Sequence, residues 1–347
     1  MDPSATPSSV LLVGSIPLAS TKEVLAKVSH ALPHRLYAMP DGETGTRYNY
    51  VRWQLDCFPR ETVHRRLGGV EQSDPNPVYT IESIQPTKYD DVAISSYTEF
   101  MKLRAQGVIP SDVRFQVCLP PPFNSIQLVR SEFREQLEPL YEKRFQESLF
   151  RIITTIPRTD LVIQWDLCFD VMALEYDRGG EIDPRFKPHF SPIKKGILDR
   201  ISRLCAIIPR EVQLAFHLCY GDYEHKHFIE PVDTRLLVEL ANDLIKNVGD
   251  RHSIEWIHMP VPKSRTDMAY FEPLNELKFP QGRLYLGLVH ANDEAGTRER
   301  IRVASSVYKH PFGVATECGM GRTPKEELDS ILQISKAVTV PKGKSTV

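Results

Sequence analysis

The sequence predicts a (β/α)8 TIM barrel, on three observations: eight short apolar runs, helical spacing between most of them, and polar or metal-ligating residues where the runs end. In such a barrel the C-terminal ends of the strands form the face where chemistry is done. Ser15, Glu43, Asn124, Asp166, His217, Cys219, Glu255, His290 and Cys318 fall at or just beyond those ends. An open doubly wound sheet is the structural rival. It is disfavoured because Gly14-Ser15 runs on into isoleucine and proline, and Gly319-x-Gly321 lacks the third glycine of a dinucleotide-binding turn.

The elements follow in order. Residues 10–16 (VLLVGSI) form the first run, and Ser20-x-x-Glu23 then makes a capping box for a helix reaching Leu32. Arg35 to Met39 is the second strand and runs into a turn that carries Asp41 and Glu43. A long insertion follows, with a helix expected from Tyr97 to Ala105. Phe115 to Leu119 is the third strand, stopped by three prolines, and helical spacing spans Ser131 to Ile156.

In the fourth strand, Leu161 to Phe169, the residues Gln164, Asp166 and Cys168 share one face. A helix follows, capped by Ser191 with Pro192 at its first position. Val212 to Cys219 is the fifth strand and leads to a helix over Thr234 to Val248; Ser253 to Val261 is the sixth strand. Leu284 to His290 is the seventh, followed by a helix over Glu294 to Tyr308, and Phe312 to Cys318 is the eighth. Thr323-Pro324-x-Glu326 opens the last helix. The expected organisation is a disordered stretch over residues 1–9, a single barrel domain over 10–340, and a flexible tail over 341–347.

Composition narrows the function. The 347 residues are 41% hydrophobic and 25% charged, as in ordinary globular proteins. With 43 basic and 45 acidic residues, no basic excess points to nucleic acid or to a membrane surface. No apolar run approaches the roughly 20 residues of a membrane span, and no basic region precedes an apolar core at the N-terminus, so a cytoplasmic protein is expected. The six cysteines are scattered, which favours free thiols or metal ligands over disulfides.

The chemistry centres on His217-x-Cys219. Residues two apart on a strand share a face, so the imidazole and the sulfur leave the strand end side by side. Cys318 ends another run, and one nitrogen and two sulfur donors suggest zinc. Glu255 is the expected fourth ligand, although in the alternation of SIEWIHMP either Glu255 or His258 faces inward. The competing reading treats the cysteines as small buried hydrophobes and His217 as a hydrogen-bonded core residue. His290 has the unperturbed pKa, about 6.5, that suits a general acid. Glu43 and Asp166 would hold a cation such as an amine, or pair with Arg47. Arg47, Arg52 and Arg322 are candidates to clamp an anion. His225 and His227 read as a solvated loop.

Taken in order, VGSIP at 13–17, DGE at 41–43, IQWD at 163–166, HLCYGD at 217–222, SIE at 253–255, GLVH at 287–290 and TECGMGR at 316–322 resemble the catalytic barrel of cobalamin-independent methionine synthase, and more closely its short single-barrel relatives. The resemblance implies zinc held by His217, Cys219, Glu255 and Cys318, a proton-donating His290, and Ser15, Glu43 and Asp166 around a small-molecule thiol substrate. The implied reaction is attack of a zinc-bound thiolate on the alkyl group of a donor. A lyase or decarboxylase on a barrel like that of uroporphyrinogen decarboxylase, acting on a small anionic substrate, is the alternative.

Overall fold

Seven parallel strands, hydrogen-bonded in chain order, form the sheet of this computed structural model, which describes residues 6–179, 183–222 and 226–342. They are β1 (Ala38–Pro40), β2 (Arg114–Leu119), β3 (Leu161–Leu167), β4 (Gln213–Leu218), β5 (Ile254–Pro260), β6 (Arg283–Gly287) and β7 (Phe312–Val314). Parallel neighbours need a crossover, and the helices Ser131–Thr155, Arg235–Val248 and Glu294–Val307 supply three of them. The first apolar run does not lengthen into a strand. Val10 makes a single parallel bridge to Val314, with Leu11 N donating to Val314 O at 2.9 Å, while Val10 N donates to Arg35 O at 3.0 Å. One segment thus touches β7 on one side and the approach to β1 on the other, and the sheet curls in the manner of a TIM barrel.

Two apolar compartments result. The larger lies between the sheet and the surrounding helices. The smaller joins Val13, Ala38, Val162, Ala215, Trp256 and Ala315, drawn from both ends and the middle of the sheet. Side chains so far apart in strand order meet only if the sheet bends around them. Gln164 lies among them, fully buried, with all four hydrogen-bonding positions satisfied. Its Nε2 donates to Val13 O at 2.7 Å and Asp166 Oδ1 at 2.8 Å, and its Oε1 accepts from Gln116 Nε2 at 3.1 Å and Trp256 Nε1 at 3.0 Å.

Local signals are realised in part: Ser20 acts as expected, whereas the helix Ile193–Cys205 begins after Pro192 without a cap from Ser191, and Thr323 does not cap the last helix. Ser20 caps the helix Thr21–Ala31 by accepting from Glu23 N at 3.3 Å, and the Glu23 carboxylate accepts from Ala19 N at 3.1 Å. The insertion after β1 is built of short 3-10 turns and a helix, Tyr89–Ala105, that starts eight residues before its expected Tyr97. A helix not expected from the sequence, Phe169–Asp177, follows β3 directly. The last helix starts at Leu328, after a 3-10 turn over Lys325–Glu327. No helix among the described residues is long and apolar enough to cross a membrane.

The β4–β5 register carries the largest consequence for the site. Leu214 pairs with Ile254 but Ala215 pairs with Trp256, so Glu255 is the extra residue of a bulge. Beyond it Trp256 and His258 hold the inner face, and His217 stands beside His258.

Gln164→Leu should destabilise the protein by about 3 kcal/mol, because the buried Trp256 N–H loses its acceptor and Asp166 a donor. Urea unfolding of the two proteins measures this, and a difference under 1 kcal/mol would show that the interior network is dispensable.

Candidate functional site

The sequence-expected donors His217, Cys219 and Cys318 converge, with ligand atoms all within 4.8 Å of one another. The two sulfurs are 3.7 Å apart. Two thiolates on a tetrahedral zinc, each at about 2.3 Å, would stand about 3.8 Å apart, so the pair fits the ion. His217 Nε2 is buried without a hydrogen-bond partner, as a ligand nitrogen would be. The Cys219 sulfur accepts from Gly221 N at 3.2 Å, which favours a thiolate there.

A second histidine sets the tautomer of the first. Thr316 O can only accept, so His258 Nε2, 3.0 Å away, carries its proton. The neutral His258 ring then offers a lone pair at Nδ1, which faces His217 Nδ1 at 2.7 Å. His217 must donate from Nδ1, and this leaves its Nε2 lone pair toward the two sulfurs. Burial keeps both rings neutral: it pushes His258 down to about 3 and, with His258 alongside, His217 well below the usual histidine range. The thiols are pushed the other way. The contact with Cys168, together with burial, raises Cys219 well above the ordinary thiol range against an opposing contact from Cys318, and Cys219 with burial does the same to Cys318. Two thiols that hold their protons in isolation need a nearby cation to ionise, which a metal would supply.

Glu255 does not join this group. The bulge turns it away to the N-terminal end of β5, where Arg283 Nη1 donates to it at 3.0 Å and Ser253 Oγ at 2.8 Å. The expectation of a fourth ligand there is corrected, and His258 takes the inward position. His290 stands apart from the cavity in front of the three donors. Its Nε2 donates to Val261 O at 3.1 Å, its Nδ1 lies 3.6 Å from Glu317, and burial with Arg300 nearby pushes it down to about 3. His227 also contacts Glu317, at 3.3 Å, so it is not a solvated side chain; His225 lies outside the described residues.

The cavity has a volume of about 780 Å³, and Ser15, Glu43, Asp166, His217, Cys219 and Cys318 all line it. Ser15 Oγ accepts from Gly321 N at 3.0 Å, and a Cβ on Gly319 would lie 2.4 Å from that oxygen, so the glycines after Cys318 let this turn close on Ser15. Glu43 sits at a left-handed φ of 44°. Burial, offset in part by Arg47, pushes its carboxyl up to about 7, and burial with Glu43 nearby raises Asp166 well above the carboxylate range. Two crowded carboxyl groups of this kind are a ready receptor for an ammonium group. Arg47 itself pairs with Asp41 at 2.8 Å, and Arg322 with Asp222 at 3.1 Å.

Sequence reasoning placed Cys168 on the Asp166 face but gave it no role, and it did not single out Tyr50. Tyr50, at a left-handed φ of 51°, reaches Asp166 O at 2.7 Å and Asn124 Oδ1 at 3.1 Å through its hydroxyl. No local pattern marks such a residue in a long insertion.

Because folded Glu43 keeps its proton up to about pH 7 while the unfolded chain releases it near 4.5, the folded state binds more protons in that window. Stability should therefore fall as pH rises from about 4.5 to about 7, by roughly 3 kcal/mol relative to Glu43→Gln. Denaturant melts of both proteins at the two ends of the window test this; parallel pH profiles would refute it.

No protein-family model matches the chain, and no curated protein matches it. Among solved structures, the chain is similar to a B12-independent methionine synthase from Shewanella sp. W3-18-1 in complex with selenomethionine, with 16% identity, 96% of each chain covered and a TM-score of 0.51. It is also similar to a Listeria monocytogenes protein assigned provisionally as a vitamin-B12-independent methionine synthase, with 13% identity, 95% of this chain and 98% of that one covered, and a TM-score of 0.49. At this level of identity, the first likeness establishes the fold.

Proposed function

We propose that this chain is a zinc-dependent transferase that moves a methyl or other alkyl group onto the sulfur of a small thiol, on a closed eight-stranded barrel spanning residues 10–340. The observation that carries the reading is the convergence of His217, Cys219 and Cys318 on a large cavity that all three line. Three nitrogen and sulfur ligands with one position left open are typical of catalytic zinc, whereas structural sites are closed by a fourth protein ligand. A zinc ion held there would supply the Lewis acidity that lets a thiol of pKa about 8.5 lose its proton near neutrality.

The protein's own groups divide the remaining work. His258 holds the His217 tautomer. Glu43 and Asp166 would receive the ammonium group of an amino-acid thiol, and Ser15 fixes the turn that carries Cys318 into place. His290 is assigned the proton for the leaving group. Neutral in the resting protein and bonded to Val261 O, it would have to turn toward the cavity and take a proton from solvent once bound negative charge raises its pKa, then pass that proton to the leaving group, so its contribution belongs to turnover and not to metal binding.

Metal content of protein purified without a metal-binding tag tests the reading. About one zinc per chain is expected in the wild type and in Glu255→Gln, with zinc lost from Cys219→Ser and Cys318→Ser. His290→Asn should keep zinc and lose turnover. A wild type without metal would sink the proposal and leave a metal-free lyase or decarboxylase as the better reading.

The His258 relay makes a separate prediction. His258→Leu should weaken zinc binding by roughly 10- to 100-fold, the usual cost of losing such a partner. His258→Gln, whose amide can accept from His217 and donate to Thr316, should recover most of it. Competition with a chromophoric chelator reads both, and equal affinities in wild type and His258→Leu would refute the relay.

A further inference from the structure

The cavity has a second chemical character away from the sulfur ligands. Arg134 lines it, and its residue is only 6% exposed. Its Nε donates to Val129 O at 2.9 Å, and among the described residues no carboxylate pairs with its guanidinium and no acceptor meets its terminal nitrogens. This is unusual, because buried cations are ordinarily paired. The nearby carboxylates are engaged elsewhere: Glu132 lies 3.5 Å from Arg130, and Glu138 is held by Arg200 and His189, each at 2.7 Å. Burial lowers Arg134 to about 10, which leaves it charged at neutral pH.

Independent features agree. Arg134 lies in the first turn of the 25-residue helix Ser131–Thr155, whose N-terminus has no side-chain cap and whose Ser131 also lines the cavity. The first-turn N–H groups and the helix dipole favour negative charge there. Arg66 and Lys187, both exposed, line the same cavity and have no carboxylate partner among the described residues. His64 lines the cavity beside them, and burial first, then Arg134 and Arg66, hold its pKa below the usual histidine range. Of the three arginines the sequence suggested as a clamp, Arg47 and Arg322 are already paired with Asp41 and Asp222, while Arg52 is exposed and lines the same cavity.

We propose that Arg134, with the N-terminus of its helix and with Arg66 and Lys187 at the rim, binds an oxyanion, carboxylate or phosphate, carried by the molecule that occupies this cavity. A guanidinium with free terminal nitrogens meets either group through two parallel hydrogen bonds. Identifying that molecule as the alkyl donor rests on the transferase reading; the anion site itself does not.

Isothermal titration of the full chain with inorganic phosphate and with succinate, at ionic strength matched with chloride, tests the site. The wild type should bind at least one of them at a single site, and the tighter of the two names the group. Arg134→Gln should weaken binding at least tenfold, while Arg134→Lys, which keeps the charge, should retain more of it. If Arg134→Gln fails to fold by circular dichroism, Arg66→Gln/Lys187→Gln replaces it, and a loss of several-fold is expected. Absence of binding by the wild type to either anion, or unchanged binding in a folded variant, overturns the proposal. Zinc is measured on the same samples: anion binding without zinc supports this site while sinking the metal reading, and zinc without anion binding does the reverse.

Discussion

The Gln164 side chain is the interaction on which the inner face of this sheet depends. With both amide hydrogens and both carbonyl lone pairs used, it ties the backbone of Val13 to Gln116, Asp166 and Trp256. Those partners come from the first apolar run, β2, β3 and β5, so one residue fastens the curl of the sheet across its interior. A buried amide satisfied at every position specifies one arrangement, because any change of register would orphan several of its groups at once. Holding β3 and β5 in this alignment also decides which side chains look inward one step further along: Asp166 next to His217, and His217 next to His258.

From there the site is built by burial. Low dielectric keeps His217 and His258 neutral, neighbouring cysteines and then burial raise the two thiols, and the Thr316 carbonyl fixes which nitrogen of each ring carries the proton. The same physics works on Glu43 and Asp166, whose carboxyl groups resist ionising together. The cavity therefore gathers groups whose protonation states are costly as they stand and would be relieved by bound cations, a metal at the sulfurs and an amine at the carboxyls. Arg134 presents the complementary case, a buried cation without an anion among the described residues.

Much of this was legible beforehand because strand alternation is a local rule. His217 and Cys219 had to share a face, the scattered cysteines favoured free thiols or metal ligands over disulfides, and the polar residues had to gather at one end of the sheet if the apolar runs were parallel. Glu255 was misjudged for a reason that alternation cannot contain. A bulge shifts the β4–β5 pairing by one residue, and its position is set by contacts between strands that no single strand encodes. His258 carried the right signal, the same two-residue period, but the choice between it and Glu255 waited on that register.

The amino-acid sequence by itself determined most of the strands in their order, the Ser20 cap of the first helix, the shared face of His217 and Cys219 and the soft-donor character of the site, since all of these follow from residue type and near-neighbour spacing. Tertiary structure alone decided that the first run would close on β7 through a single bridge, that Glu255 would pair with Arg283, and that Arg134 would have no counter-ion among the described residues. These are outcomes of contacts between segments tens to hundreds of residues apart. Their energies depend on which groups end up mutually buried, and that is settled only when the sheet has curled.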